Sequence, residues 1–273
     1  MDGADWRLAA AAVDPKALGE ARTQTQNAVH WLARLANSYA SPEPDQRHVW
    51  LSFDAARRAF VTRNLVDDIA VELRLPALEF QFLEKGRPVP HILSVEGHTP
   101  AKVEAWVLVE LLHRGIDRER FSKSLPYNVS NLMSGDNVEY SPEALSRELD
   151  ALTVWISGAE SVLTRLAREL APAGMESSGL LCWPGQLHVG LLAPAGPEGA
   201  STGKYLRVGI SAGDDRYAEP YFFVAPQTGA EIETPHPGAV LTASRIVAEG
   251  ASEDQVVDFL QAAVATTRRR LSN

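Results

Sequence analysis

Four stretches of the chain carry apolar residues at helical spacing, and residues typical of a helix start precede each of them. They are the stretches 14–39, 99–115, 141–170 and 252–271. Apolar residues that recur every three or four positions place one face of a helix against a core. The third stretch has the most regular pattern, so we expect its helix to be the structural centre of the protein. Its apolar positions are Leu145, Leu149, Leu152, Ile156, Ala159, Leu163, Leu166 and Leu170.

Two groups of shorter stretches alternate or cluster apolar residues between turns rich in proline, glycine and aspartate, which is typical of antiparallel β-strands. The predicted strands are 48–54, 59–63, 69–75 and 78–83 in the first group and 180–183, 187–193, 205–211 and 221–225 in the second. The order helix, β-meander, helix therefore occurs twice. We predict an α+β fold of two antiparallel β-meanders, each flanked by helices, and the repeated order raises the hypothesis of a duplicated helix–sheet–helix unit.

This order divides the chain into three regions. Residues 1–116 form an N-terminal helix–sheet–helix half, residues 141–273 form a C-terminal half, and residues 117–140 connect them. The pattern leaves open whether the two halves pack as one domain. The connection has no clean period, and connections of this length inside a compact chain are usually functional or mobile. We expect it to be ordered only in part, or to lie as a lid over the second sheet.

The composition restricts the classes of partner. The chain has 273 residues and a net charge of −9, so we expect no nucleic-acid partner, because phosphate binding needs a basic face. Cys182 is the only cysteine, which excludes an intrachain disulfide and a cysteine-rich zinc site and fits a reducing cytosol. No apolar stretch is long enough to cross a bilayer, and the acidic start is unlike a signal peptide. We therefore expect a soluble, cytoplasmic protein without a membrane partner.

Six short stretches together resemble a known family. They are 23–39, HVWLSF at 48–53, YSPEA at 140–144, 183–192, EPYFF at 219–223 and 255–260. In this order of elements the chain resembles the uncharacterised bacterial proteins that carry the domain of unknown function 5996. The resemblance covers most of the chain, although Leu187 and His188 stand where family members often carry a Phe-Asp pair. It implies a bacterial origin and a cytosolic location, and it implies no activity and no catalytic residue.

The stretch 213–220 is the densest polar loop of the chain, and it connects two predicted strands. Loops that are mounted on rigid strands often carry functional sites. Its carboxylates suit acid–base chemistry or, beside a histidine, a metal ion. Aspartates next to glycine more often bond their own backbone, and the chain has no HExxH motif, so we predict no metal ligands. The groups considered are Asp214, Asp215, Glu219, His188 and His236.

A second motif needs a structural context that the sequence does not provide. Gly209, Ser211 and Gly213 match the G-x-S-x-G pattern of serine hydrolases. That pattern requires a helix directly after the serine, within a parallel α/β sheet. Here two aspartates and Pro220 follow the motif, so we interpret it as the end of a strand.

Two functions therefore stay open. The first is a small-molecule or protein-binding protein that uses a groove between the sheet and the helices. The second is an enzyme whose loop carboxylates perform acid–base or metal-assisted chemistry. We favour binding, and the sequence indicates neither a cofactor nor an oligomeric state. The candidate binding residues are Trp183, His188, Asp214, Asp215, Tyr217, Glu219 and Tyr221.

Overall fold

The computed structural model describes residues 5–129, 131–195, 203–227 and 238–272. The strands in this part of the chain are β1 (Leu51–Asp54), β2 (Ala59–Val61), β3 (Ile69–Arg74), β4 (Glu79–Glu84), β5 (Arg87–Ser94), β6 (Leu181–Trp183), β7 (His188–Pro194), β8 (Tyr205–Ser211), β9 (Tyr221–Gln227) and β10 (Ala239–Thr242). The α-helices are α1 (Trp6–Ala9), α2 (Pro15–Tyr39), α3 (Pro100–His113), α4 (Ser146–Leu170), α5 (Ala243–Ala248) and α6 (Glu253–Ser272). Short 3-10 turns lie at Ala10–Ala12, Pro44–Val49, Arg118–Arg120, Glu143–Leu145 and Ala171–Ala173.

All ten of these strands pair into one antiparallel sheet, in the order β10-β9-β8-β7-β6-β1-β2-β3-β4-β5. Each half of the sheet is a five-stranded meander, which confirms the predicted α+β fold. The halves join where β1 pairs with β6, with Leu51 opposite Cys182 and Ser52 opposite Leu181. A 25-residue helix, α2 or α4, precedes each meander. This arrangement agrees with the hypothesis of a duplicated unit.

The equivalent first hairpins of the two halves turn in the same way. The hairpins β1–β2 and β6–β7 each turn through four residues, and the last of the four has a left-handed φ, 52° at Arg58 and 51° at Leu187. Hairpin loops of four residues are most often built around a type I turn. The β6–β7 turn matters for function because it borders the cavity described below.

The two outer strands were not predicted from the sequence. Strand β5 contains Pro88 and Pro90 and is largely exposed at one edge of the sheet. Proline is tolerated on edge strands, where its missing N–H breaks no ladder. Because most of β5 does not contact the core, its sequence lacks the alternation that burial imposes on the other strands.

Helix α4 lies at the centre of the core, as its pattern predicted. Leu152 and Leu163 are 2% and 1% exposed, and Trp155 is completely buried. The helix contacts α2, α6 and strands β7 and β8. The N-terminal Trp6 closes this core, because its ring lies 5.0 Å from that of Trp155 and 5.8 Å from that of Phe222.

The connection between the halves lies along the polar face of α2. The imidazole Nδ1 of His30 lies 3.1 Å from the hydroxyl of Tyr127, and Nε of Arg34 donates to the carbonyl of Lys123 at 3.1 Å. Further along α2, Oγ of Ser38 accepts from the amide of Ser122 at 2.9 Å. These contacts with α2 hold part of the connection in place, for which the sequence predicted partial order or a lid over the second sheet.

No helix in the described part of the chain combines the length and the apolar composition that crossing a membrane requires.

Candidate functional site

A polar cavity of about 180 Å³ lies between α2 and one end of the second meander. Four segments meet there: the N-terminal half of α2, the β6–β7 turn, the loop between β8 and β9 and, through Asn131, the connection between the halves. The antiparallel register brings the turn and the loop to the same end of the sheet, because His188 pairs with Ser211, and Ser211 pairs with Tyr221. The residues lining the cavity are Arg22, Thr23, Gln26, Asn27, Asn131, Gly185, Gln186, His188, Gly213, Asp214 and Asp215.

The side-chain amides of Gln26 and Asn27 on α2 hold the walls of the cavity in place. Nε2 of Gln26 donates to the carbonyl of Gly185 at 2.7 Å, which ties the helix to the β6–β7 turn. Oδ1 of Asn27 accepts from the amide of Met133 at 2.7 Å, which ties the helix to the connection between the halves. Backbone groups that are bonded in this way hold the walls at a fixed separation.

His188 is the buried imidazole of the cavity wall. It is 8% exposed, and its ring lies 4.7 Å from that of Phe223. Burial and, to a smaller extent, the charge of Arg207 lower the pKa of His188 to about 3, although Asp214 acts in the opposite direction. The imidazole is therefore neutral near pH 7 and offers one donor and one acceptor nitrogen. Its Nδ1 has no hydrogen-bond partner among the described residues, which is typical of a site that water or a ligand completes.

Asp214 organises the β8–β9 loop. Its Oδ1 accepts from the amides of Arg216 and Tyr217, both at 2.8 Å, and its Oδ2 accepts from the hydroxyl of Tyr221 at 2.5 Å. Burial by itself would raise the pKa of Asp214, but these hydrogen bonds stabilise the carboxylate and lower the pKa below its ordinary value. Burial and the bond to Asp214 also raise the pKa of Tyr221. Asp214 is thus an ionised turn residue whose oxygens are already occupied.

Two opposite charges border the cavity without neutralising each other. Arg22 lies against the loop, since a Cβ placed on Gly213 would be 2.7 Å from its Nη1. The φ of Gly213 is 109°, in the region that favours glycine, so the backbone conformation requires a residue without a side chain here. Asp215 is exposed and lines the same cavity. Within the described ranges, neither Arg22 nor Asp215 has a hydrogen-bond or ion-pair partner on its side chain.

The third carboxylate of the loop has a different role. Oε2 of Glu219 accepts from the amide of Ser244 at 2.6 Å, and Oε1 accepts from its hydroxyl at 2.7 Å. Ser244 lies in the first turn of α5, where a carboxylate satisfies backbone donors and complements the helix dipole. The structure therefore directs Glu219 towards a helix end rather than into the cavity.

The predicted aromatic residues serve packing. Trp183 is 2% exposed, and its ring lies 5.9 Å from that of Trp50 and 5.5 Å from the guanidinium of Arg207. The rings of Tyr217 and Tyr221 lie 5.1 Å apart, and Tyr221 is 2% exposed. None of these three predicted residues is among the lining residues of the cavity.

The G-x-S-x-G motif forms a strand end, as its context predicted. Ser211 is the last residue of β8 and is completely buried. Its Oγ accepts from the amide of Gly213 at 3.1 Å, and the chain then returns into β9 without a helix. The hydroxyl is therefore used by its own turn, and the nucleophile geometry of a hydrolase is not formed.

Of the predicted binding residues, the structure brings His188, Asp214 and Asp215 to one cavity. His236 was considered with them, and it lies outside the described residues. Sequence reasoning missed the contribution of α2, although a signal was present. Positions 22–27 read Arg-Thr-Gln-Thr-Gln-Asn, six successive polar residues that interrupt the apolar spacing of the helix.

Known proteins provide no further guide to this site. The chain matches no protein-family model, no curated protein and no solved structure. The resemblance to the bacterial family with the domain of unknown function 5996 therefore stays a prediction.

Proposed function

We propose that this protein binds a small polar molecule with both an acidic and a basic group, in the cavity between α2 and the β8–β9 loop. The observation that carries the proposal is that Arg22 and Asp215 line one cavity and form no ion pair with each other or with another described residue. A guanidinium is the preferred partner of a carboxylate, and a carboxylate is a natural partner of an ammonium group. A ligand that carries both groups would pair with both side chains at once.

The remaining walls supply hydrogen bonds rather than apolar contact. Neutral His188 offers a donor and an acceptor, and Thr23 and Asn131 add short polar groups at the rim. The cavity volume of about 180 Å³ is many times what one buried water molecule needs, so the cavity has room for a small ligand. The size and the polarity favour a small polar molecule such as a free amino acid.

The oxygens of Asp214 and Glu219 are occupied by the loop and by α5, so the proposal assigns them no contact with the ligand. It retains the small-molecule binding that the sequence favoured and refines the ligand class. The single cysteine, Cys182, is a free buried thiol, which supports a cytoplasmic location for such a protein.

A thermal-shift screen with the free amino acids at millimolar concentration tests this function. A ligand that binds only the folded state raises the unfolding temperature of the protein. At a ligand concentration of 100 times the Kd, the free energy of unfolding increases by about 2.7 kcal/mol. For any amino acid that stabilises the protein, the matched compounds without the amino group and without the carboxyl group should both bind more weakly. Removing one charge-assisted hydrogen bond costs about 1.5–3 kcal/mol, which is roughly a tenfold to hundredfold loss of affinity.

Substitutions of Arg22 and Asp215 test whether the ligand binds in the cavity. Arg22→Gln should weaken the response to the carboxyl group, and Asp215→Asn should weaken the response to the amino group while keeping the turn. Arg87→Gln and Asp258→Asn are matched controls, because both side chains are exposed and neither lines the cavity. If no amphoteric molecule stabilises the protein, or if the cavity variants respond like the controls, the proposal is wrong.

A further inference from the structure

Three side chains with metal-binding atoms converge at the other end of the sheet, far along the chain from the cavity residues. His91 lies on the edge strand β5, and Glu110 and His113 lie in the last turn of α3. Nδ1 of His91 lies 3.3 Å and Nδ1 of His113 lies 3.7 Å from the same carboxylate oxygen, Oε1 of Glu110. All three ligand atoms lie within 4.8 Å of one another.

We propose that His91, Glu110 and His113 bind a divalent transition-metal ion, with Zn²⁺ as the best fit. In a tetrahedral zinc site with bonds of 2.0–2.1 Å, neighbouring ligand atoms are about 3.3–3.4 Å apart. The two distances to Oε1, 3.3 and 3.7 Å, are close to this edge length before any ion has drawn the ligands together. Two imidazoles and one carboxylate form a donor set that suits zinc and its neighbours better than magnesium or calcium.

The position of the carboxylate is fixed by its surroundings. The side chain of Glu110 is 4% exposed, and Nη1 of Arg114 donates to its Oε2 at 2.7 Å. The same guanidinium donates to the backbone carbonyl of Glu110 at 2.8 Å and lies 4.2 Å from the ring centroid of Phe82. Because Arg114 occupies Oε2, the oxygen left for a metal is Oε1, the one that faces both imidazoles. Partners of this kind orient metal ligands in proteins.

The charge balance also permits a cation. Arg114 contributes one positive charge, and Nε of Arg114 lies 3.2 Å from Oε1 of a second carboxylate, Glu84. Two carboxyl groups therefore contact the guanidinium and oppose its repulsion of an incoming cation. The carboxylate pair therefore offsets the guanidinium that fixes the site.

The two histidines leave the site open to solvent. Their side chains are 65% and 56% exposed, so a water molecule can take the fourth coordination position. Three protein ligands and one exchangeable position are typical of zinc sites that interact with small molecules, whereas structural sites are closed by four protein ligands. The spacing of one strand residue and two helix residues three positions apart matches no sequence motif, and this explains why the sequence did not indicate a metal.

Metal titration of the tag-free, metal-stripped protein tests the proposal. One Zn²⁺ ion should bind to each protein molecule with high affinity. Co²⁺ should give the visible absorption of a tetrahedral site with nitrogen and oxygen ligands. His91→Ala and His113→Ala remove one ligand each from exposed positions, so both variants should fold. Each should weaken Zn²⁺ binding by at least about tenfold, since even indirect partners of a metal site contribute 10–100-fold to its affinity.

His98→Ala is the matched control. His98 is partly exposed and precedes the same helix, but its Nδ1 lies 2.8 Å from the carbonyl of Glu96, outside the cluster. It should bind Zn²⁺ like the unchanged protein. Equal affinity in the His91→Ala, His113→Ala and His98→Ala proteins would show adventitious binding and overturn the proposal, and so would the absence of Co²⁺ absorption in the unchanged protein.

Discussion

Several polar side chains of this protein are buried as deeply as residues of the hydrophobic core. His30 is completely buried on α2, and His188 is 8% exposed at the wall of the cavity. Arg207 is 2% exposed, and burial lowers its pKa to about 10. Buried polar groups are costly unless they are bonded, so they are usually retained for a structural or functional reason. Here His30 bonds to the connection between the halves, and His188 borders the proposed ligand.

The two buried histidines make stability depend on pH. Burial, reinforced by Arg34 and Arg207 respectively, lowers the pKa of both His30 and His188 to about 3. The unfolded chain takes up these protons near its ordinary pKa of about 6.5, whereas the folded protein does not. Above about pH 6.5 the two histidines therefore do not reduce the free energy of unfolding. As the pH falls from there towards 3, this free energy decreases by up to about 1.4 kcal/mol per pH unit for each histidine.

Urea denaturation between about pH 7 and pH 5 measures this effect, in a window above most carboxylate titrations. His30→Gln and His188→Gln should each reduce the slope of unfolding free energy against pH, whatever they do to stability at pH 7. His98→Gln is the control, since that imidazole is partly exposed. An unchanged slope in both the His30→Gln and the His188→Gln protein would show that these two histidines do not cause the pH dependence of stability.

At the scale of elements, α4 is the helix against which the others pack. Its apolar positions are buried along its length, and the N-terminal segment crosses it at Gly158. A Cβ at Gly158 would lie 2.7 Å from Cδ1 of Trp6 and closer still to the Cβ and Cγ of that residue. The glycine thus allows the indole to approach the helix, where Trp155 and Phe222 surround it.

Two glycine-to-alanine substitutions should consequently have opposite effects. Glycine inside a helix is less favourable than alanine by about 0.5–1 kcal/mol, so Gly19→Ala on α2, where no atom is within 4 Å, should stabilise the protein by about that amount. Gly158→Ala should instead destabilise it by about 1–3 kcal/mol, because the atoms near the new methyl group are rigid parts of Trp6. Denaturant midpoints report both values. A stabilising Gly158→Ala would mean that the segment carrying Trp6 is displaced easily.

For the whole molecule, the central question is whether two halves behave as one unit. The seam between them is a short ladder from β1 to β6, but the hydrophobic core is continuous across it. Trp50 and Trp183 meet at this seam with ring centroids 5.9 Å apart, and α2 of the first half packs against α4 of the second. A shared core couples the two meanders more strongly than two pairs of strand residues could.

We expect the protein to unfold in one cooperative transition. Far-ultraviolet circular dichroism, tryptophan fluorescence and the hydrogen exchange of α2 and α4 should then report the same midpoint. Leu51→Ala lies at the seam and is completely buried, so it should lower the midpoint of both halves together, by about 2–5 kcal/mol in unfolding free energy. Separate midpoints for the two meanders would show that each half folds independently.

Local pattern determined the elements of this protein, and tertiary structure determined which of them meet. The stepping of α4 and the alternation of β3 and β4 were readable because a buried face repeats along the chain at the period of its own secondary structure. Strand β5 was missed because it is exposed, and the pairing of β1 with β6 was missed because it joins residues about 130 positions apart. Periodicity shows that a face is buried, but not against which partner.

The same limit applies to the candidate site. The loop with Asp214 and Asp215 was readable as a polar turn between strands, with His188 and His236 as candidate neighbours, and the structure then placed His188 opposite Ser211. The role of Glu219 as a partner of α5 and the arrival of Arg22 from α2 were decided only by the three-dimensional packing. A carboxylate in a loop belongs to no repeating pattern of residues, so the sequence does not show what it contacts. Its partner depends on the direction in which the folded backbone points the side chain. The elements therefore follow from short-range chemistry, whereas the cavity exists only where distant elements come together.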